Sequence, residues 1–268
     1  MARLLIHLLG PFQVLLDGQP VSGFESDKVR ALLAYLAVEN DQPHRRERLA
    51  GLLWPEWAER SARANLRRAL VNLRKVSDDY RATPPFLDIT PQTIQFNHGA
   101  DAWVDAVALR DLVGASAPQA GSLVRDESIE PQIIHHWEEA VDLYRGEFLA
   151  GFSLRGCADF EGWVLLEQEG LRHSVMDALC RLATWHEGQG RLEQALRYAW
   201  RQTELDPWWE SGYRQIMRLL AHTGRRAAAL DQYKTCRSRL ADGLGVEPSV
   251  ETTRLYQRIR DNELEPPA

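Results

Sequence analysis

Apolar positions alternate at the start of the chain and then change to helical spacing. Residues 3–9 and 12–16 read as two short strands, the second turning Phe12, Val14 and Leu16 inward before a turn at Asp17-Gly18. From Ser26 or Asp27 to Val38 the period becomes that of a helix, with Val29, Leu32, Leu33, Leu36 and Ala37 on one face. Residues 40–43 break the chain. A second short helix is predicted over 45–53, closed by Trp54-Pro55 because a residue before proline is pushed out of the helical region. A third helix starts near Ala58 or Ser61 and reaches Ser77. A hairpin follows, in which Leu87 and Ile89 face Ile94 and Phe96 across Thr90-Pro91-Gln92-Thr93. A small sheet, three helices and a terminal hairpin together make a winged helix-turn-helix over residues 1–98.

The third helix carries the candidate chemistry. Arg60, Arg63, Arg67, Arg68, Arg74 and Lys75 lie within it, and no acidic residue falls between Arg60 and Ser77. At about 100° per residue, Ala62, Leu66, Ala69, Leu70 and Leu73 form the apolar stripe. Arg60, Ala64, Arg67, Arg68, Val71 and Lys75 are then centred on the opposite face, with Arg63, Asn72 and Arg74 on the flanks. A helix that is apolar on one side, and basic with small residues on the other, suits the major groove of double-stranded DNA, where Arg forks reach guanine edges or phosphates. The hairpin would place Thr93 and Gln95 at the adjacent minor groove. A solvated basic face would show the same charge run; the two preceding helices and the following hairpin favour the DNA reading.

The second half has its own periodicity. Residues 176–207 and 210–241 repeat at an offset of 34: Gly190-Arg191 matches Gly224-Arg225, and Ala195-Leu196 matches Ala229-Leu230. That period belongs to tetratricopeptide helix pairs. Leu179, Leu182, Ala183, Ala195 and Pro207 take the packing and turn positions of the first copy; Tyr213, Ile216, Leu220, Ala229 and Tyr233 take those of the second. Helices over 129–147 and 160–172 are expected to complete the stack, and a last helix over 250–262 to cap it. The fold class is therefore mainly α: a small α+β winged helix-turn-helix, 1–98, followed by an all-α tetratricopeptide-like repeat domain, 99–262, and a tail, 263–268. Trp137, Trp163, Trp185, Trp200, Trp208 and Trp209 are read as fillers between helices, and a repeat surface of this kind favours a protein partner or dimerisation over a small-molecule pocket.

Charge sharpens this division. The net charge of −6 hides an asymmetry, with 13 Lys and Arg against 11 Asp and Glu in residues 1–100 and 19 against 27 in the rest. An acidic whole does not oppose nucleic-acid binding when the basic groups share one patch. Cys157, Cys180 and Cys236 are widely spaced and odd in number, which fits reduced thiols in a cytoplasmic protein. No stretch has the apolar length of a membrane span. Enzymatic readings fail on spacing: no Gly-rich loop precedes Lys-Ser or Lys-Thr, and neither His135-His136 nor His186-Glu187 has a partner at metal-ligand distance in sequence. No catalytic residue, metal or cofactor is expected.

Several segments resemble, in order, the regulators known as Streptomyces antibiotic regulatory proteins. These are Leu9-Gly10-Pro11-Phe12, the run from Lys28 to Leu36, Leu52-Leu53-Trp54-Pro55, the run from Ala64 to Leu70, Ala102-Trp103-Val104-Asp105 with Leu109, "AVDLYRGEFL" at 140–149, and Gly245-Val246-Glu247-Pro248 before Leu255-Tyr256. The family joins an OmpR-type winged helix to a bacterial transcriptional activator domain. The resemblance implies a transcription activator that binds directly repeated half-sites as a homodimer and contacts RNA polymerase. One departure is the short Glu56-Trp57-Ala58-Glu59, where the family has a longer acidic loop. Two other readings stay open: a helical-repeat protein-interaction scaffold, and the N-terminal part of a larger ATP-dependent regulator.

Overall fold

The computed structural model describes residues 3–115 and 131–263. The start of the helix expected over 129–147 and most of the tail lie outside them. Contacts divide the chain into two units, Met1–Gly114 with Asp142–Arg172, and Ala115–Val141 with His173–Ala268.

The first unit opens with β1 (Leu4–His7), β2 (Gln13–Leu16) and β3 (Gln19–Pro20), antiparallel neighbours in sequence. Asp17 and Gly18 both have positive φ, 50° and 77°, the conformation that a two-residue hairpin loop demands. The sheet gains a fourth strand that local periodicity does not announce. This is β7 (Ala102–Val104), which pairs parallel to β1 with Ile6 opposite Val104. Between them lie α1 (Asp27–Val38), β4 (His44–Arg45), α2 (Arg46–Leu53), α3 (Glu59–Val76), β5 (Leu87–Ile89) and β6 (Thr93–Phe96). The hairpin has the expected register, Leu87 opposite Phe96 and Ile89 opposite Ile94. Arg45, expected to begin the second helix, instead joins His44 in β4 against β6, which makes the wing three-stranded.

Asp105 opens α4 (Asp105–Ala115) and is fully buried. Its carboxylate accepts from Leu8 N at 2.7 Å, Leu9 N at 3.1 Å and its neighbour Ala106 N at 2.8 Å, and Arg145 lies 3.2 Å away. A buried carboxylate is tolerable only when bonded in this way. Beyond it the chain returns to the same place. Leu149 N donates to Leu8 O at 2.7 Å, Gly10 N to Glu147 O and Ala150 N to Gly10 O, each at 3.0 Å. Two of the sequence segments that carry the family resemblance are thus bonded to one another.

Helix α5 is Pro131–Leu143, and α6 is a 31-residue helix, Ala158–Gly188. Residues 160–172, expected in the repeat stack, instead pack within the first unit. Trp163 meets Tyr35 at 5.0 Å and Phe148 at 5.5 Å between ring centroids, and its Nε1 donates to Glu39 Oε1 at 2.8 Å. A large amphipathic ring with both apolar and polar needs met in one place decides the packing.

In the second unit, α7 (Leu192–Leu205), α8 (Glu210–His222), α9 (Arg226–Leu244) and α10 (Val250–Arg260) follow the end of α6. Gly190 and Gly224 sit at equivalent helix ends with φ of 70° and 76°, where a side chain would be strained. Ala183, Ala195, Leu196, Ile216, Leu220 and Ala229 share one core with Ile259 of α10, so the 34-residue repeat and its closing helix are present. Trp137 is buried, but Trp200, Trp208 and Trp209 are not the fillers expected; they remain 37%, 48% and 37% exposed. Asp206-Pro207 ends α7 and leaves Trp208 and Trp209 in the turn before α8.

Candidate nucleic-acid interface

Helix α3 is the most sharply two-sided element of the first unit. Ala62, Leu66, Ala69, Leu70 and Leu73 are buried, as the sequence pattern predicts. Arg60, Arg67, Arg68, Val71 and Lys75 are exposed, Val71 to 59%. Among the described residues, none of Arg60, Arg67, Arg68 and Lys75 has a carboxylate within ion-pair distance. Four unpaired cations around one exposed branched side chain make a surface suited to a polyanion that also offers apolar groups.

The flanking residues divide differently. Arg63 is held by Glu47 at 3.1 Å and by Glu59 of its own helix. Arg74 bonds Asp79, and its guanidinium lies 4.0 Å from the ring centre of Tyr80. Asn72 is corrected outright in position: it is buried, not on the flank of an outward face. Its Oδ1 accepts from Glu25 N and its Nδ2 donates to Gly23 O, both at 3.1 Å, which pins the segment before α1 to α3. These three side chains build the platform on which the four free cations stand.

The hairpin turn closes on itself. Thr90 Oγ1 accepts from Thr93 N at 2.8 Å and Gln92 N at 3.2 Å, and Thr93 Oγ1 is 2.8 Å from the same hydroxyl. Pro91 and Gln92 are exposed at its tip. Gln95 turns away from the tip, its Nε2 donating to Asn40 O at 2.9 Å. Two basic residues that sequence reasoning passed over belong here. Arg45 is exposed and opposite Thr93 in the sheet. Arg46 donates from Nε to Thr90 O and from its backbone N to Gln92 O, both at 3.0 Å. The missed signal was the Arg45-Arg46 pair itself, hidden by its assignment to a helix start.

Residues 104–260 match the bacterial transcriptional activator domain profile. The chain belongs to the bacterial transcriptional activator domain family. It is similar over 96% of its length, at 28% identity, to the transcriptional regulatory protein EmbR of Mycobacterium tuberculosis, and covers 63% of that protein. It is also similar to the regulatory protein AfsR of Streptomyces coelicolor, at 28% identity over 94% of this chain and 24% of AfsR. MoaR1 of M. tuberculosis, a transcriptional regulatory protein, is 24% identical over 94% of this chain and 78% of its own length. The chain thus spans less than two thirds of EmbR. The structure of M. tuberculosis EmbR in complex with a low-affinity phosphopeptide superposes with a TM-score of 0.70 at 25% identity, covering 98% of this chain and 66% of that one. The mainly helical fold with a small α/β N-terminal part is therefore that of this SARP-like group. No helix among the described residues is long and apolar enough to cross a membrane, and no cluster of three metal-binding side chains occurs among them.

Proposed function

We propose that this member of the bacterial transcriptional activator domain family is a cytoplasmic, DNA-binding transcriptional regulator with no catalytic activity of its own. Helix α3 enters the major groove with Arg60, Arg67, Arg68 and Lys75 outward. Val71 meets base edges between them, and the wing tip and Arg45 lie at the neighbouring backbone. The observation that carries this reading is the unpaired state of those four cations on a helix whose other basic residues, Arg63 and Arg74, are ion-paired. The relatives, named as transcriptional regulators, support it. We take the chain to be an activator that occupies direct repeats as a homodimer and contacts RNA polymerase, on the strength of the family resemblance. The division of labour follows the proposed domains, 1–98 for DNA and 99–262 for regulation.

The test is selection of bound sequences from a random DNA pool, followed by anisotropy titrations of Arg67→Glu with Arg68→Glu. The double variant should fold normally and lose ~100-fold or more in affinity at moderate salt, as expected when two phosphate or base contacts become repulsive. Wild-type affinity in that variant would remove α3 from the interface.

A further inference from the structure

The second unit contains a cleft that DNA recognition does not use. It measures 390 Å³ and lies among the start of α5, the end of α6 and the start of α7, with Ile134, Glu138, Trp185, His186, Arg191 and Gln194 in its lining. That volume falls within the range of clefts that hold small organic ligands.

His186, which lines this cleft, is a group that the repeat fold leaves unexplained. The residue is 2% exposed, and neither Nδ1 nor Nε2 has a hydrogen-bond partner among the described residues. The ring is nonetheless fixed, stacked on Tyr198 at 5.4 Å with 17° between planes and edge-on to Trp185 at 4.8 Å. An unpaired buried polar atom loses its water without gaining a partner, and a phenyl ring would fill the same space without that cost. Burial first, and then Arg191 and Arg197, hold the imidazole pKa down to about 4, so near neutral pH the ring offers one N–H donor and one lone pair.

The two charged walls of the cleft define what would bind. Arg191 lies over Trp185, 4.2 Å from its ring centre, and has no carboxylate partner among the described residues. Glu138, on α5, accepts from the Tyr198 hydroxyl at 3.4 Å and has no cationic partner among the described residues. A simple anion would satisfy Arg191 and be repelled by Glu138; a simple amine would meet the reverse. We propose that this cleft is a binding site for a small amino-acid zwitterion. The carboxylate pairs with Arg191 beside the buried His186 ring, the ammonium faces Glu138, and the side chain lies against Trp185 and Ile134. This site is independent of the reading of α3, and it departs from the protein-partner surface that the repeat pattern suggests.

The experiment uses the full chain with ring-labelled histidine, the His186 resonance being assigned by its loss in His186→Phe. L-phenylalanine, L-leucine and glycine are titrated to millimolar concentration, with 3-phenylpropionate and 2-phenylethylamine as single-charge controls. At least one amino acid should shift the His186 signal saturably, with both controls weaker by about tenfold, the worth of one charge-assisted contact. Arg191→Gln and Glu138→Gln should each weaken binding by a similar factor while melting temperature and helix content stay unchanged. Arg191 is exposed and Glu138 is half-buried, so neither change opens the core. A His186 resonance unmoved by all three amino acids overturns the site. Equal binding of the carboxylate control overturns the zwitterion.

Discussion

Arg74 Nε donates to Asp79 Oδ2 at 2.6 Å, and the other oxygen of this buried carboxylate accepts from Leu87 N at 3.1 Å. The pair joins the C-terminal end of α3 to β5, the first strand of the hairpin, so the arginine acts on the shape of the candidate interface and not on its charge. Arg74→Met should lower unfolding stability by about 1–3 kcal/mol, since it strips the charged partner from a buried carboxylate. The DNA affinity of the folded chain should change by less than about twofold, as for a residue outside the contact set. Urea titration and anisotropy separate the two; lost affinity with an unmoved urea midpoint would return Arg74 to the DNA face.

The four free cations make a different prediction. Replacing Arg60, Arg67, Arg68 or Lys75 singly by Ala should reduce the slope of log K against log salt by roughly one when the residue contacts phosphate. A residue reading a base edge should instead cost about 1–3 kcal/mol on the selected site and little on random DNA. Val71→Ala should leave the salt slope untouched and weaken discrimination at one thymine, whose methyl is the apolar group in the groove. A changed salt slope for Val71→Ala would contradict its placement between the cations.

Asp105 tests the dependence of the first unit on residues beyond the wing. Asp105→Ala orphans the buried amides of Leu8 and Leu9, at about 1–3 kcal/mol each. A fragment of residues 1–98 loses this carboxylate, β7 and the 147–150 segment together, and should show no cooperative thermal transition. Differential scanning calorimetry of the fragment and of the full-length Asp105→Ala variant checks both expectations. A sharp transition in the fragment would show that the winged helix stands without those partners.

His186 gives the fold a signature in pH. Its folded pKa of about 4 lies below the ordinary 6.5, because burial and then Arg191 and Arg197 disfavour the charged ring. The unfolded chain therefore takes up a proton below pH 6.5 that the folded chain refuses until about pH 4. The contribution of His186 is complete above that window and is lost as pH falls through it. Urea midpoints of His186→Phe should decline less steeply than wild type between those pH values, and parallel curves would contradict the assignment.

Local pattern carried the fold as far as single elements. The leucine stripe of α3, the Leu87 to Phe96 register and the Gly190 and Gly224 helix ends were all legible, because helix and hairpin periods are written in neighbouring residues. The parallel pairing of β7 with β1 was not, since a three-residue strand joined to a partner about a hundred positions away leaves no local period. Asn72 shows the same limit at the site. Helical spacing placed it on a flank, whereas the backbone groups of Gly23 and Glu25 drew its amide inward. Trp163 chose Tyr35, Phe148 and Glu39 as neighbours for reasons of shape and one hydrogen bond, which no repeat period encodes.

The two bonds from Arg46 to Thr90 O and Gln92 O fix the wing tip before any DNA arrives. A turn already ordered by α2 has little conformational freedom left to lose in a groove. Association through α3 and the wing should then show a heat-capacity change that tracks the surface dried, without the excess that accompanies a segment folding on its target. The fit of this surface would be selected by the shape of the DNA offered to it, and the cost of bending would fall on the duplex.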